Sequence, residues 1–268
     1  MTTIRRPESF ALESRHALVC GASAGIGRAA ALALAALGAR VTVLARTAAA
    51  LEALCAELRA AGAPAAQALV ADLDAPAELE RRIPPWLAEH GPAHILVHNT
   101  GGPPAGRLLD ADGDALLAAF RRHVLSAQRL VQLLLPGMQT AGYGRIVNVL
   151  SISVREPIDH LGVSNIIRAA MAAWAKTLSR ELPPGITINN VLPGYTATQR
   201  LAALARNTAA RTGRSVDDIE REWRETVPEK RLAEPEEIAA AIAFLSSPAA
   251  SYIRGTSLAV DGGRLRSS

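Results

Sequence analysis

Two cysteines, Cys20 and Cys55, are all that the 268 residues contain, and no CxxC or CxxH spacing surrounds them that would hold zinc. No metal site is expected, and both thiols read as apolar residues of a reducing compartment. Aromatic residues make up 3%, too few for the stacking platform of a single-strand nucleic-acid binder. Neither charge sign dominates: 29 Lys and Arg against 25 Asp and Glu leave a formal +4, without the basic stripe that tracks a phosphate backbone. Nucleic acid is not an expected partner. The longest uncharged apolar run, residues 29–39, falls well short of the roughly 18 residues of a membrane span. Arg5-Arg6 are followed by Pro7, Glu8 and Glu13, where a secretory leader needs an uninterrupted apolar stretch. A cytoplasmic protein without membrane attachment is expected.

What is present is apolar material for a large core: 49% hydrophobic against 20% charged residues, which excludes intrinsic disorder. Short β-branched or leucine-rich runs at 16–20, 40–45, 65–72, 94–99, 145–151, 186–192 and 257–261 alternate with longer helical segments. That alternation predicts an α/β fold, a Rossmann-type doubly wound parallel sheet of seven strands in a single domain over residues 1–268. Most of the strands are continuous apolar runs, as expected when both faces of a sheet are covered. Leu51, Leu54 and Leu58 mark the buried stripe of one helix, with Gly62 as its stop. One stretch, 199–230, is too long for an ordinary αβ loop. Within it Ser215 and Asp218 have capping-box spacing, and Ile219, Trp223 and Val227 share a helical face. It reads as a helical flap over the strand ends, where open α/β sheets bind ligands.

Directly after the first strand comes Gly21-Ala22-Ser23-Ala24-Gly25-Ile26-Gly27, leading into an alanine-rich helix. Strand, glycine turn and helix N-terminus bring backbone N–H groups and the positive end of a helix dipole to one point, suited to a pyrophosphate. The GxxxGxG spacing differs from GxGxxG. His98-Asn99-Thr100-Gly101 follows the fourth strand, Asn148-Val149-Leu150-Ser151 ends the fifth, Pro193-Gly194 follows the sixth, and the C-terminal part runs from Arg231-Leu232-Ala233-Glu234-Pro235 to Asp261-Gly262-Gly263. With these motifs nearly the whole chain resembles the short-chain dehydrogenase/reductase family, and within it the 3-oxoacyl-ACP reductase-like proteins.

The resemblance implies a dinucleotide cofactor held by Gly21, Ser23, Gly25, Ile26 and Gly27, by Asp72 at the adenine edge, by Asn99 and Gly101, and by Pro193, Gly194 and Thr196. Members with an acidic residue at the end of the second strand bind NAD through the ribose hydroxyls. Here that position is Ala45, and the next residue, Arg46, has the planar fork that pairs with a 2′-phosphate. NADP(H) is therefore the expected cofactor, with NAD(H) as the alternative. Asp72 has a second reading as a turn or helix cap ahead of Pro76.

Family members carry out their chemistry with a serine, a YxxxK pair and an asparagine. No YxxxK exists in this chain. Register taken from Arg168-Ala169-Ala170-Met171 through Lys176 to Leu182 places Ser164 at the tyrosine position and Arg168 at the lysine position, thirteen residues after Ser151 in the case of Ser164. A register using Leu161 and Asn165 needs three extra helix residues. Counting back from Leu135-Pro136, His123 takes the asparagine position. The expected catalytic set is thus Ser151, Ser164, Arg168 and His123, with Arg168 also on the cofactor ribose. A serine hydroxyl is a much weaker proton donor than a phenol, and its substitution for tyrosine removes most of a general-acid contribution of roughly 10²–10⁴-fold. His123, His160 and Tyr195 are candidates to compensate, a histidine because its ordinary pKa suits acid–base work near neutrality. Tyr143, at the wrong end of the fifth strand, is excluded.

The resemblance implies an NAD(P)(H)-dependent oxidoreductase acting on a small carbonyl or alcohol substrate with a non-standard catalytic set. The alternatives are a cofactor-binding module without turnover, or a non-redox enzyme on the same scaffold. Arg200, Arg206, Arg211 and Arg214 in the flap suit an anionic substrate or, more plainly, a solvated helix face. The helices around 115–135 and 168–182 resemble those through which the family forms homodimers and homotetramers.

Overall fold

The computed structural model describes residues 8–267; Arg5, Arg6 and Pro7 of the expected leaderless N-terminus lie outside the described residues. Seven parallel strands form one sheet: β1 (His16–Cys20), β2 (Arg40–Ala45), β3 (Ala66–Val70), β4 (Ile95–His98), β5 (Gly144–Val149), β6 (Ile186–Pro193) and β7 (Ser257–Val260). Their order is β3-β2-β1-β4-β5-β6-β7. The order reverses between β1 and β4, which opens a crevice at the carboxyl ends of the strands.

Period-two alternation explains why these strands are apolar throughout. Ala17 and Val19 of β1 pack toward α1 (Gly25–Ala36), α2 (Ala48–Ala60) and α9 (Pro235–Ser246), while Leu18 and Cys20 face the opposite layer. That layer holds α3 (Pro76–His90), α5 (Ser126–Thr140) and α6 (Gly162–Glu181). A fully buried leucine such as Leu18 or Leu34 contributes about 1.5–3 kcal/mol. Both cysteines are buried and free. Leu51, Leu54 and Leu58 form the buried face of α2, and Gly62 beyond it has φ +109°.

Several expected strands are shorter than their apolar runs. Ala71-Asp72, Asn99 and Leu150-Ser151 leave the ladder at the carboxyl ends and line the crevice instead. The helix expected through 115–135 is broken: α4 (Gly113–Phe120) passes through a π-helical turn at Arg121–Leu125 before α5 begins. Such turns displace one residue from the regular face, and here that residue set includes His123. The flap is two helices, α7 (Gln199–Thr212) and α8 (Val216–Thr226), separated by Gly213 at φ +71°. Ser215 caps α8 by accepting from the Asp218 N–H at 3.1 Å. The reciprocal half of a capping box is replaced by a bond from the Ser215 hydroxyl to the Asp218 carboxylate at 2.7 Å. Among the described residues no helix is long and apolar enough to cross a membrane.

Candidate active site

A cleft of about 1630 Å³ runs along the carboxyl edge of the sheet, from Ala45-Arg46 and Asp72 at one end to Tyr195, Trp223 and Arg264 at the other. Its floor is the glycine loop. Gly21 and Gly25 have φ of +58° and +55°, and a Cβ on Gly21 would lie 2.5 Å from the Asn99 carbonyl oxygen. Only glycine allows this approach. The Asn99 side-chain amide donates to the Gly21 carbonyl at 3.1 Å, tying β4 to the loop. Gly27 lies beneath the loop, where a Cβ would stand 2.3 Å from the Gly21 carbonyl oxygen. The N-cap of α1 is Ala24, which supplies no side-chain cap, so the first N–H groups of the helix remain available to an anion.

Thr198, which sequence reasoning passed over, completes this end. It caps α7 by accepting from the Leu201 N–H at 3.2 Å, and its methyl carbon lies 3.2 Å from where a Gly25 Cβ would be. The N-termini of α1 and α7 therefore meet over the same part of the cleft. A threonine three residues before a helical leucine run was the signal that could have revealed it.

At the β2 end, Arg46 is exposed, lines the cleft and forms no ion pair among the described residues. Asp72 lines the cleft and accepts from the Asp74 N–H at 3.0 Å, a turn-cap contact. Arg122 grips Asp74 through two nitrogens, one at 2.6 Å. This pairing outweighs the opposing effect of burial and, with a smaller contribution from Arg46, holds the Asp74 carboxyl below its ordinary pKa.

Ser151, Ser164 and Arg168 line the middle of the cleft together. The Ser151 hydroxyl accepts from the Ser153 N–H at 3.1 Å. Ser164 and Arg168 lie one turn apart on the same buried side of α6. Arg168 donates from Nη1 to the Val149 carbonyl at 2.7 Å, while its buried Nε has no partner. Burial, with a smaller contribution from Arg200, lowers its pKa to about 10, so it stays a cation at neutral pH. In the other register, the Asn165 amide bonds back to Ile158 at 2.9 Å and Asn165 does not line the cleft. Leu161, the other member of that register, does line the cleft. Pro193, Gly194 and Thr196 also line the cleft, as do Ser23 and Ile26 of the glycine turn and Gly101 beyond β4.

His123 corrects an expectation. It is buried behind the cleft wall and shares a 2.6 Å hydrogen bond between Nδ1 and Thr100 Oγ1. Burial, reinforced by the Arg168 charge, pushes its pKa down to about 2. It is a neutral imidazole that positions Thr100, not a group exchanging protons near neutrality. His98, bonded to Ser126 at 3.1 Å, is pushed down to about 3 by burial and Arg168. His160 is exposed at φ +59° and contacts Arg211 at 3.1 Å. Tyr195 stacks on Trp223 with centroids 5.0 Å apart and accepts from Arg264 at 3.1 Å. Its pKa is raised by burial, against the arginine. Tyr143 donates to the Ser246 carbonyl at 2.7 Å, outside the cleft, as its exclusion required. Of the flap arginines, Arg200 and Arg211 line the cleft, whereas Arg206 does not and Arg214 pairs with Glu222 at 2.6 Å.

The model of the enoyl-(acyl carrier protein) reductase family matches residues 21–264. The chain is 33% identical over 255 residues to the 3-oxoacyl-(acyl-carrier-protein) reductase of Vibrio cholerae, covering 94% of this chain and 98% of that one. This chain belongs to the short-chain dehydrogenase/reductase family. An uncharacterised oxidoreductase of Mycobacterium tuberculosis is 31% identical over 257 residues, covering 96% of this chain and 94% of its own. The crystal structure of L-sorbose reductase from Gluconobacter frateurii, complexed with NADPH and L-sorbose, superposes with a TM-score of 0.91 at 27% identity. It covers 97% of this chain and all of that one. This short-chain dehydrogenase/reductase is accordingly an NAD(P)-dependent oxidoreductase.

Proposed function

We propose that the protein uses NADP(H) to interconvert a small carbonyl compound and its alcohol, with Ser151, Ser164 and Arg168 as its catalytic residues. The observation that carries this reading is one continuous cleft with the unpaired Arg46 at its β2 end and these three side chains at its middle. The cradle fits a dinucleotide: uncapped α1, the left-handed Gly21 and Gly25, and the facing N-terminus of α7 supply donors where a pyrophosphate would lie. Arg46 would read the 2′-phosphate through its fork, Asp74 already being neutralised by Arg122. L-Sorbose reductase, crystallised with NADPH, is a relative whose cofactor agrees.

When bound, the nicotinamide supplies or accepts the hydride. The Ser151 and Ser164 hydroxyls hold the substrate oxygen by donating to it. Arg168, a fixed cation in a poorly hydrated wall, stabilises negative charge developing on that oxygen and donates to the ribose hydroxyls. No phenol stands at the proton-donor position, so water ordered by Ser164 delivers the proton that completes the alcohol, at a slower rate than a tyrosine would allow. The exposed Leu117, Phe120, Leu125 and Ile166 on α4, the π turn and α6 supply an apolar face for a homodimer or homotetramer. The free buried thiols agree with a cytoplasmic location.

Parallel calorimetric titrations of NADPH and NADH against the wild type and Arg46→Ala test the cofactor assignment. NADPH should bind at least tenfold tighter than NADH, with the preference collapsing in the variant. Equal affinities in the wild type would refute Arg46 as the phosphate reader. Binding of both without hydride transfer to any carbonyl in a broad panel would leave the non-catalytic module as the better reading.

A further inference from the structure

Arg168 and Arg200 approach one point from opposite walls of the cleft. A Cβ built on Gly102 would lie 3.4 Å from Nη2 of Arg200 and 3.8 Å from Nη2 of Arg168. Gly102 carries no side chain, so nothing of its own stands between the two guanidinium groups that flank it. Of the carboxylates lining the cleft, Asp74 pairs with Arg122, Asp110 with Arg107 at 3.9 Å and Glu222 with Arg214 at 2.6 Å, while Asp72 and Asp159 form no ion pair with either arginine. Among the described residues neither Arg168 nor Arg200 forms an ion pair. Arg200 spends one donor on the Pro103 carbonyl, and Arg168, only 8% exposed, one on Val149, leaving Nε buried without a partner. Two adjacent cations with unspent donors are unfavourable unless an anion completes them.

The adjoining alcove narrows the choice. It measures about 420 Å³, shares Ala105, Gly106, Arg107, Asp110 and Arg122 with the cleft, and is otherwise lined by prolines, alanines and Val163. That lining suits a short aliphatic chain. Arg168 also stands one turn from Ser164, so a charged group held there is close to the substrate oxygen.

We propose that the substrate is a short-chain carboxylic acid bearing the reacting carbonyl or hydroxyl, its carboxylate held between Arg168 and Arg200 in the space above Gly102. This rests on the cofactor and carbonyl reading given above. Charge-assisted hydrogen bonds of this kind favour an acid over its neutral ester by roughly 10- to 100-fold.

The test uses the full-length protein saturated with NADPH, with 4-oxopentanoate and its methyl ester as probes, read by quenching of the cofactor fluorescence and by turnover. The acid should bind at least tenfold tighter than the ester, and Arg200→Met should abolish that preference while leaving NADPH affinity within twofold. Equal binding of acid and ester by the wild type, or binding of neither, overturns the proposal. So does an Arg200→Met protein that loses tenfold in NADPH affinity but keeps the acid preference, which would assign Arg200 to a cofactor phosphate. A wild type that does not bind NADPH at all fails at the first titration, and that failure belongs to the cofactor reading rather than to the carboxylate site.

Discussion

Replacing Arg168 by methionine separates the stability of this cleft from its function. Burial lowers the guanidinium pKa from 12.5 to about 10, which corresponds to about 3 kcal/mol against the charged form. The same side chain donates at 2.7 Å to Val149, a charged hydrogen bond worth about 1.5–3 kcal/mol. Arg168→Met removes both, and methionine fills a similar linear volume. The variant without ligand should therefore range from equally stable to about 2 kcal/mol more stable, a rise in Tm of up to about 6 °C for a chain of this size. Ligand binding should move the other way. NADPH at about a hundred times its Kd should stabilise the wild type by about 2.7 kcal/mol, and the variant by clearly less, because the ribose contact and the cation are gone. Differential scanning calorimetry of both proteins, with and without NADPH, reads all four values. A variant more than about 2 kcal/mol less stable than the wild type, with an undiminished NADPH shift, would refute the view that this arginine is held against its own burial cost for the sake of a ligand.

Three further outcomes follow from the same geometry. His16, His98 and His123 are buried neutral, with pKa values pushed down to about 4, 3 and 2; their stabilisation is complete above pH 6.5 and is lost as pH falls toward those values. Up to about 4 kcal/mol per pH unit should disappear below pH 6, so urea midpoints unchanged between pH 7 and 5 would contradict it. Gly27→Ala places a Cβ 2.3 Å from the Gly21 carbonyl oxygen and 2.7 Å from the Asn99 amide nitrogen, costing about 1–3 kcal/mol and most of the NADPH affinity. A melting curve and NADPH titration matching the wild type would show that the loop has more room than it displays. Ser151→Ala should lower turnover by roughly tenfold or more with cofactor affinity retained; unchanged turnover would remove Ser151 from the catalytic set.

Sheet and cradle were legible in the chain because their causes are local. His16–Cys20 and Arg40–Ala45 have the expected strand bounds, set by apolar runs between a polar start and a glycine or charged stop. Gly21 and Gly25 announce their left-handed backbone by being glycines. The carboxyl ends of β3, β4 and β5 were overextended because Asp72, Asn99 and Ser151 belong to the same apolar runs yet turn out into the cleft. His123 was misjudged for a related reason: its residue type suggests titration near neutrality, but burial beside Arg168 removes that capacity.

Residue order alone determined the seven strands, the glycine loop, the absence of an acidic residue after β2 and the absence of a YxxxK pair. Periodicity and backbone permissiveness act within a few residues, so they are written in the sequence. Which charges stay unpaired was decided only by the tertiary structure. Asp74 is closer in sequence to Arg46 but is taken by Arg122, 48 positions away. Arg168 and Arg200, from different helices, meet above Gly102 with no carboxylate between them. Electrostatic pairing depends on distance in space and on the loss of water, and both are set when the flap folds over the sheet.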